Sequence, residues 1–113
     1  MVDFEKIKKA QEQFKVCSPI FLAYGDENRQ KIFMDLAAVF PDGINVADLS
    51  AKSTLSRPAV SHHLKVLKDA GIVVPVKKGT QIFYKLKLKE AFAALKSLIE
   101  TVGEIIKEED TNN

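Results

Sequence analysis

Two short runs of this 113-residue chain carry side chains whose types and spacing can do chemistry. The first begins at Ser56 and runs Arg57-Pro58-Ala59-Val60-Ser61-His62-His63-Leu64-Lys65. If Val60, Leu64 and Leu67 face inward, at i, i+4 and i+7, the helical step of about 100° decides where the rest point. Pro58, His62 and Lys65 then fall on the opposite face. Ser61 and Lys68 lie to one side, and Arg57 projects from the helix start. This surface of hydroxyl, imidazole, ammonium and guanidinium groups can bond phosphate oxygens and the base edges of a major groove. Base contacts fall to Arg57, Ser61 and His62, and phosphate to Lys65, because the N-terminal part of a reading helix meets the bases. Ser56 and Pro58, at the helix start, belong to the same candidate surface. The competing reading is an ordinary amphipathic surface helix.

His62 and His63 invite a metal reading, but adjacent helical residues point about 100° apart and cannot comfortably share an ion. There is no third histidine, and the one cysteine, Cys17, is distant in sequence. No metal site and no cofactor is expected. His63 falls on the flank of the inward face, which suits a structural or phosphate-bonding role. The second run is Lys77-Lys78-Gly79-Thr80-Gln81. It reads as a hairpin tip, with Gly79 able to take positive φ. Lys77 and Lys78 project from it, with Thr80 and Gln81 as neutral donors, toward a flanking backbone or a minor groove. Lysines at a sheet edge also block aggregation, and both roles can hold.

Net charge is +2, but its distribution is uneven. Residues 52–89 hold nine basic side chains and one acid, Asp69, giving +8, while the remainder holds eight basic and fourteen acidic residues, giving −6. Such asymmetry within one small domain is an electrostatic footprint for a polyanion, unless it is a solvated basic face.

The elements that must position these groups follow from periodicity. Asp3 caps a helix over 3–16 carrying Phe4, Ile7, Gln11 and Phe14. The run 19–23 makes a second short helical segment with Pro19 in its first turn. Asp26 caps a helix over 27–39 that buries Ile32, Phe33, Leu36, Ala37 and Phe40. A turn at Pro41-Asp42-Gly43 follows. Asn45 with Asp48 opens a short helix over 46–52, and Ser56 opens the helix 57–70, which Gly71 ends. Strands over 72–76 and 81–88 form the hairpin. A helix over 89–108 carries Phe92, Leu95, Leu98, Ile99, Val102, Ile105 and Ile106 on one stripe, and EEDTNN forms a frayed acidic tail. A short helix, a tight turn and a second polar-faced helix followed by a basic hairpin make a winged helix-turn-helix.

Length and composition bound the rest. A mass of 12.6 kDa fits one domain, and 46% apolar residues suffice for a core. No run approaches the ~20 apolar residues of a membrane span, and the N-terminus lacks a signal peptide's apolar stretch, so a cytoplasmic protein is expected. No catalytic constellation is visible, which argues against an enzyme.

Residues 55–86 resemble the core of the ArsR/SmtB family of winged-helix repressors. The likeness is carried by Ala59-Val60-Ser61-His62-His63-Leu64, by Ala70-Gly71 at the helix end, and by the basic wing closing in an aromatic strand. Asp26 to Ile32 is similar to the family's Pro-x-Arg-x-x-Ile helix start without its proline. The likeness spans residues 4–106, nearly the whole chain. It implies a homodimer joined through the first and last helices, over 1–24 and 89–108, with the helix-turn-helix at 45–70 and the wing at 72–88. Phe4, Ile7, Phe14, Phe92, Leu95, Leu98, Ile99 and Val102 would form the seam. It also implies double-stranded operator DNA, an inverted repeat, as partner. The family's inducer sites do not carry over. Asn45 and Ala47 stand where one site has cysteines, and Leu88, Glu90, Thr101 and Glu104 occupy the other. The expectation is a metal-free repressor, its inducer a small molecule or protein left unspecified. The alternatives are a winged helix serving protein partners, and a repressor switched by oxidation of Cys17.

Overall fold

The computed structural model describes residues 2–111. Its elements follow in the order α1 (Phe4–Tyr24), α2 (Glu27–Ala38), β1 (Ile44–Asn45), α3 (Val46–Ala51), α4 (Arg57–Asp69), β2 (Val73–Lys78), β3 (Gln81–Leu86) and α5 (Lys89–Thr111). They make two compact units, one built on residues 20–88 and the other on the first part of α1 with α5.

In the unit of residues 20–88, helix ends are closed by side chains. The last turn of α1 contains no basic residue. The first turn of α2 supplies what is missing. Arg29 Nε donates to the Ala23 carbonyl at 2.7 Å, Arg29 Nη2 to that of Leu22 at 3.2 Å, and Gln30 Nε2 to that of Tyr24 at 2.6 Å. Three terminal carbonyls thus gain donors, and a cation sits at the negative end of α1. Asp26 caps α2 by accepting the Arg29 backbone N–H at 3.1 Å. That bond, more than the nearby Arg29 charge, holds its carboxyl below the usual range. Asn45 Oδ1 accepts from Asp48 N at 2.8 Å to open α3, and Ser56 Oγ accepts from Ala59 N at 3.3 Å to open α4.

Helices α2 and α3 both pack on α4. Leu36, Leu49, Val60, Leu64, Leu67 and Ile72 are fully buried there. Helix α4 ends in a paired-bond cap, with Gly71 N donating to the Lys68 carbonyl and Ile72 N to that of Leu67, while Gly71 takes φ +78°. The cap turns the chain directly into β2. Strands β2 and β3 pair antiparallel from Val73↔Leu86 to Lys78↔Gln81. Gly79 and Thr80 are the only residues left for the turn. Positive φ at Gly79 and not at Thr80 is the pattern of a II′ hairpin turn.

In the other unit, the Lys6 ammonium bonds the Glu108 carboxylate, and Glu104 lies 3.7 Å away. The Glu108 bond raises the Lys6 pKa above its ordinary value. Thr101, buried on α5, satisfies its hydroxyl by donating to the Ser97 carbonyl at 3.1 Å. No helix among the described residues is long and apolar enough to cross a membrane.

Several expectations need correction. The helices expected at 3–16 and 19–23 are one helix running through Pro19. Proline removes one backbone donor there, but Cys17, Ile20 and Ala23 are all buried, and their burial at three-residue spacing holds the helix together. The acidic tail is helical as far as Thr111, with Glu108 engaged by Lys6, while Asn112 and Asn113 lie outside the described residues. Ala37 and Phe40 are exposed, because α2 ends at Ala38 and Phe40 no longer follows its period. Ile82 and Leu88 are also exposed, and Phe83, Tyr84 and Lys85 are all half-buried, so no in–out alternation develops along the second strand and only Leu86 is buried. Lys77 and Lys78 belong to β2 rather than to the turn. Strand β1 was not expected; two residues are too few to show a period, yet they pair with Tyr84 and Phe83 and give a three-stranded sheet of order β1-β3-β2.

Gly43 makes that third strand possible. Its φ is +88°, and a Cβ built on it would lie 2.7 Å from the Tyr84 carbonyl oxygen. Gly71 has a similar φ but open space around it. Gly71→Ala should therefore cost only the left-handed strain of about 1–2 kcal/mol. Gly43→Ala should cost the same strain plus about 1–3 kcal/mol for overpacking against β3. Urea unfolding of both variants checks the order; equal losses would mean that β1 yields freely.

Candidate nucleic-acid interface

The inward set predicted for α4 is buried: Val60 and Leu67 are fully inaccessible and Leu64 nearly so. The geometry of the helix then turns the opposite set outward. Ser56, Arg57, Pro58, Ser61, His62 and Lys65 are all exposed. Lys77, Lys78, Thr80 and Gln81 are exposed along the hairpin. All ten candidate positions are therefore solvent-facing, in a segment whose charge is strongly positive.

The structure brings part of the two sets together. A cleft of about 340 Å³ is lined by Arg57 from the start of α4, Thr80 and Gln81 from the wing, and Asn45 from the start of α3. Asn45 was read from sequence only as a cap. In the fold its Oδ1 is committed to Asp48 N, so its Nδ2 becomes the donor to Gln81 Oε1 at 3.3 Å. One amide thus closes a helix and ties it to the wing. Nothing in the local sequence announces this link, because Asn45 and Gln81 meet only through the pairing of β1 with β3.

The lysines are less uniform than their spacing suggested. Lys65 pairs with Asp69 at 3.1 Å one turn along, an exposed pair of little energetic weight that a phosphate can displace. Lys78 lies over the Phe83 ring, 5.0 Å from its centroid, and its Nζ lies 3.4 Å from the Asp42 carbonyl. These contacts hold its stem against the sheet while the residue remains exposed. Lys77, one residue earlier, points to the other face of the hairpin.

His63 is the position that sequence reasoning placed least firmly. It is half-buried on the flank of α4, with its Nδ1 3.2 Å from Arg29 Nη1. Its ring centroid lies 5.7 Å from that of exposed His62, at an interplanar angle of 57°. The two imidazoles diverge, as adjacent helical positions must. Among the described residues no group of three or more His, Cys, Asp or Glu is placed to hold a metal ion. Cys17 is fully buried.

Known proteins share this arrangement. Residues 42–74, from the turn before β1 into β2, match the family described as bacterial regulatory protein, arsR family. The chain is 37% identical over 73 residues to an uncharacterized HTH-type transcriptional regulator of Methanocaldococcus jannaschii, covering 65% of this chain and 80% of that one. It is 34% identical over 67 residues to the transcriptional repressor SdpR of Bacillus subtilis, covering 59% of this chain and 71% of the other. Among solved structures, an ArsR-like transcriptional regulator from Rhodococcus superposes with a TM-score of 0.66 at 27% identity, covering 88% and 87% of the two chains. With the helix-turn-helix, the basic wing and these likenesses in agreement, the chain belongs to the ArsR family of bacterial regulatory proteins, DNA-binding transcriptional regulators with a winged helix-turn-helix.

Proposed function

We propose that this protein is a homodimeric repressor that binds an inverted-repeat operator in double-stranded DNA. The observation that carries the reading is the meeting of Arg57, from the start of α4, with Thr80 and Gln81 of the wing at one cleft, all three belonging to the +8 segment. Arg57, Ser61 and His62 read base edges in the major groove; Ser56, Pro58 and Lys65 line the same face. Lys77, Lys78, Thr80 and Gln81 hold the backbone beside it. The likeness to a named repressor supports the direction of regulation.

The dimer rests on exposed apolar surface in the unit of α1 and α5. Phe4 is 78% exposed, Phe92 65% and Ile99 68%, with Phe14, Val102 and Ile106 also open to solvent. Exposed apolar side chains gathered on one unit mark an interaction face, and burying them across a two-fold axis is the simplest remedy. Leu98, expected in the seam, is only 8% exposed within one chain, so its part there is to support the surface from beneath. Ile7 and Leu95 are half-buried, and Ile7 lines a groove with Phe14, Leu98 and Val102.

Three outcomes test the proposal. Operator affinity should fall by about 10³–10⁵ between 50 and 200 mM salt if the dimer neutralises roughly 6–10 phosphates. An affinity flat over that range favours a protein-partner module instead. Next, Arg57→Ala, Ser61→Ala and His62→Ala should each relax preference for the selected sequence, by about 1–3 kcal/mol for a lost bidentate contact. Lys77→Ala should weaken binding to every duplex alike and flatten the salt slope. Selection from a random duplex pool distinguishes the two; a consensus that moves with the wing variant and not the helix variants reverses the assignment. Finally, Phe92→Glu and Ile99→Glu should give monomers by sedimentation, and half-sites in the wild-type operator should lie about 10 bp apart or a multiple of that. A monomer that still binds the inverted repeat tightly contradicts the two-fold arrangement.

A further inference from the structure

Arg29 has no place in the reading surface, yet its side chain makes contacts with two other helices. Nε and Nη2 hold the Ala23 and Leu22 carbonyls at the end of α1, and Nη1 lies 3.2 Å from His63 Nδ1 on α4. Its backbone N–H is held in turn by Asp26. The guanidinium is thus held by two carbonyls, and the backbone that carries it by a third bond, before it meets the imidazole.

A guanidinium has five N–H donors and no acceptor. The contact with His63 therefore requires a lone pair on Nδ1. A neutral imidazole carries its single proton on the other nitrogen, so Nε2 is the donor. A proton on Nδ1 would set two N–H groups against each other and abolish the bond. The tautomer of a residue in the DNA-reading helix is in this way dictated from a different helix.

We propose that Arg29 is a positioning residue for DNA binding, which holds His63 as the Nε2–H tautomer so that the ring offers a donor to a backbone phosphate oxygen. This rests on the reading of α4 as the DNA-contacting helix. His63 sits on the flank of that helix beside exposed His62, where a backbone contact is expected rather than a base contact. Asp26 accepts the Arg29 backbone N–H at 3.1 Å and so fixes the start of α2, from which the Arg29 side chain departs.

The test has two arms, both on the full chain. Two-bond ¹⁵N–¹H correlation spectra read the tautomer of each histidine directly, with His63→Gln assigning the signals. The wild type should show His63 as Nε2–H, and Arg29→Lys should show a mixture of tautomers. The second arm measures affinity of His63→Gln and His63→Phe for the duplex that the wild type selects, with thermal unfolding confirming that each variant is folded. Gln keeps an acceptor for Arg29 and an N–H beyond it, so binding should stay within about threefold of wild type. Phe fills the same space with neither group and should lose about tenfold or more. Nδ1–H in the wild type, or equal affinity of the Gln and Phe variants, overturns the proposal. If the wild type selects no duplex, the DNA reading fails and the phosphate contact with it, while the spectra still decide whether Arg29 sets the tautomer.

Discussion

Everything that this molecule offers to DNA depends on the burial of one side of α4. Val60, Leu64 and Leu67 have no freedom to rotate outward, because α2 and α3 close over them. Burying three such side chains contributes on the order of 1.5–3 kcal/mol each. The exposed polar groups add little stability of their own. They are held in register by the apolar groups behind them, and a helix rotated by a single position would lose both the core and this polar face. Both ends of α4 are fixed as firmly. Ser56 sets where it starts, and the cap at Gly71 and Ile72 sets where it stops and sends the chain straight into the wing.

A second layer of control comes from long-range polar ties. Asn45 commits one end of its amide to α3 and the other to the wing. Arg29 closes the end of α1 and reaches α4. Each tie spends a side chain from one element to hold another, so the helix-turn-helix and the hairpin do not depend on packing alone. Edge-to-face contact between Tyr24 and Phe33, at 5.1 Å, fixes the neighbouring corner between α1 and α2.

Much of this was legible in the sequence, and the reasons are specific. The capping residues Asp26, Asn45 and Ser56 act within three positions of themselves, so local chemistry sufficed to find them. The face of α4 was legible because three apolar residues at helical spacing leave only one orientation. The fold missed at Pro19 shows the opposite case. A local rule predicted a break, and burial of Cys17, Ile20 and Ala23 overrode it. Strand β1 and the bonds of Arg29 and Asn45 could not be read, because each partner lies 34 or more residues away or, for Arg29, on the preceding helix across a turn, where no local spacing signals the contact. The apolar stripe of α5 was half legible. Periodicity found the stripe on α5 but could not say that Leu98 would be covered within its own chain.

The hairpin has a property of a different kind. Its strands are six residues each, joined by the shortest turn that antiparallel strands permit. At about 3.3 Å per residue the wing reaches roughly 20 Å. Its reach can change only in discrete steps. Adding one residue to each strand moves the tip by about 3.3 Å, close to one base-pair rise of about 3.4 Å, but swaps the two faces of the tip. Adding two to each strand restores the faces and extends the arm by about 6.6 Å. An arm built this way can thus be lengthened by about two base-pair rises at a time without disturbing α4, so that its reach and the polar face of that helix are free to vary independently.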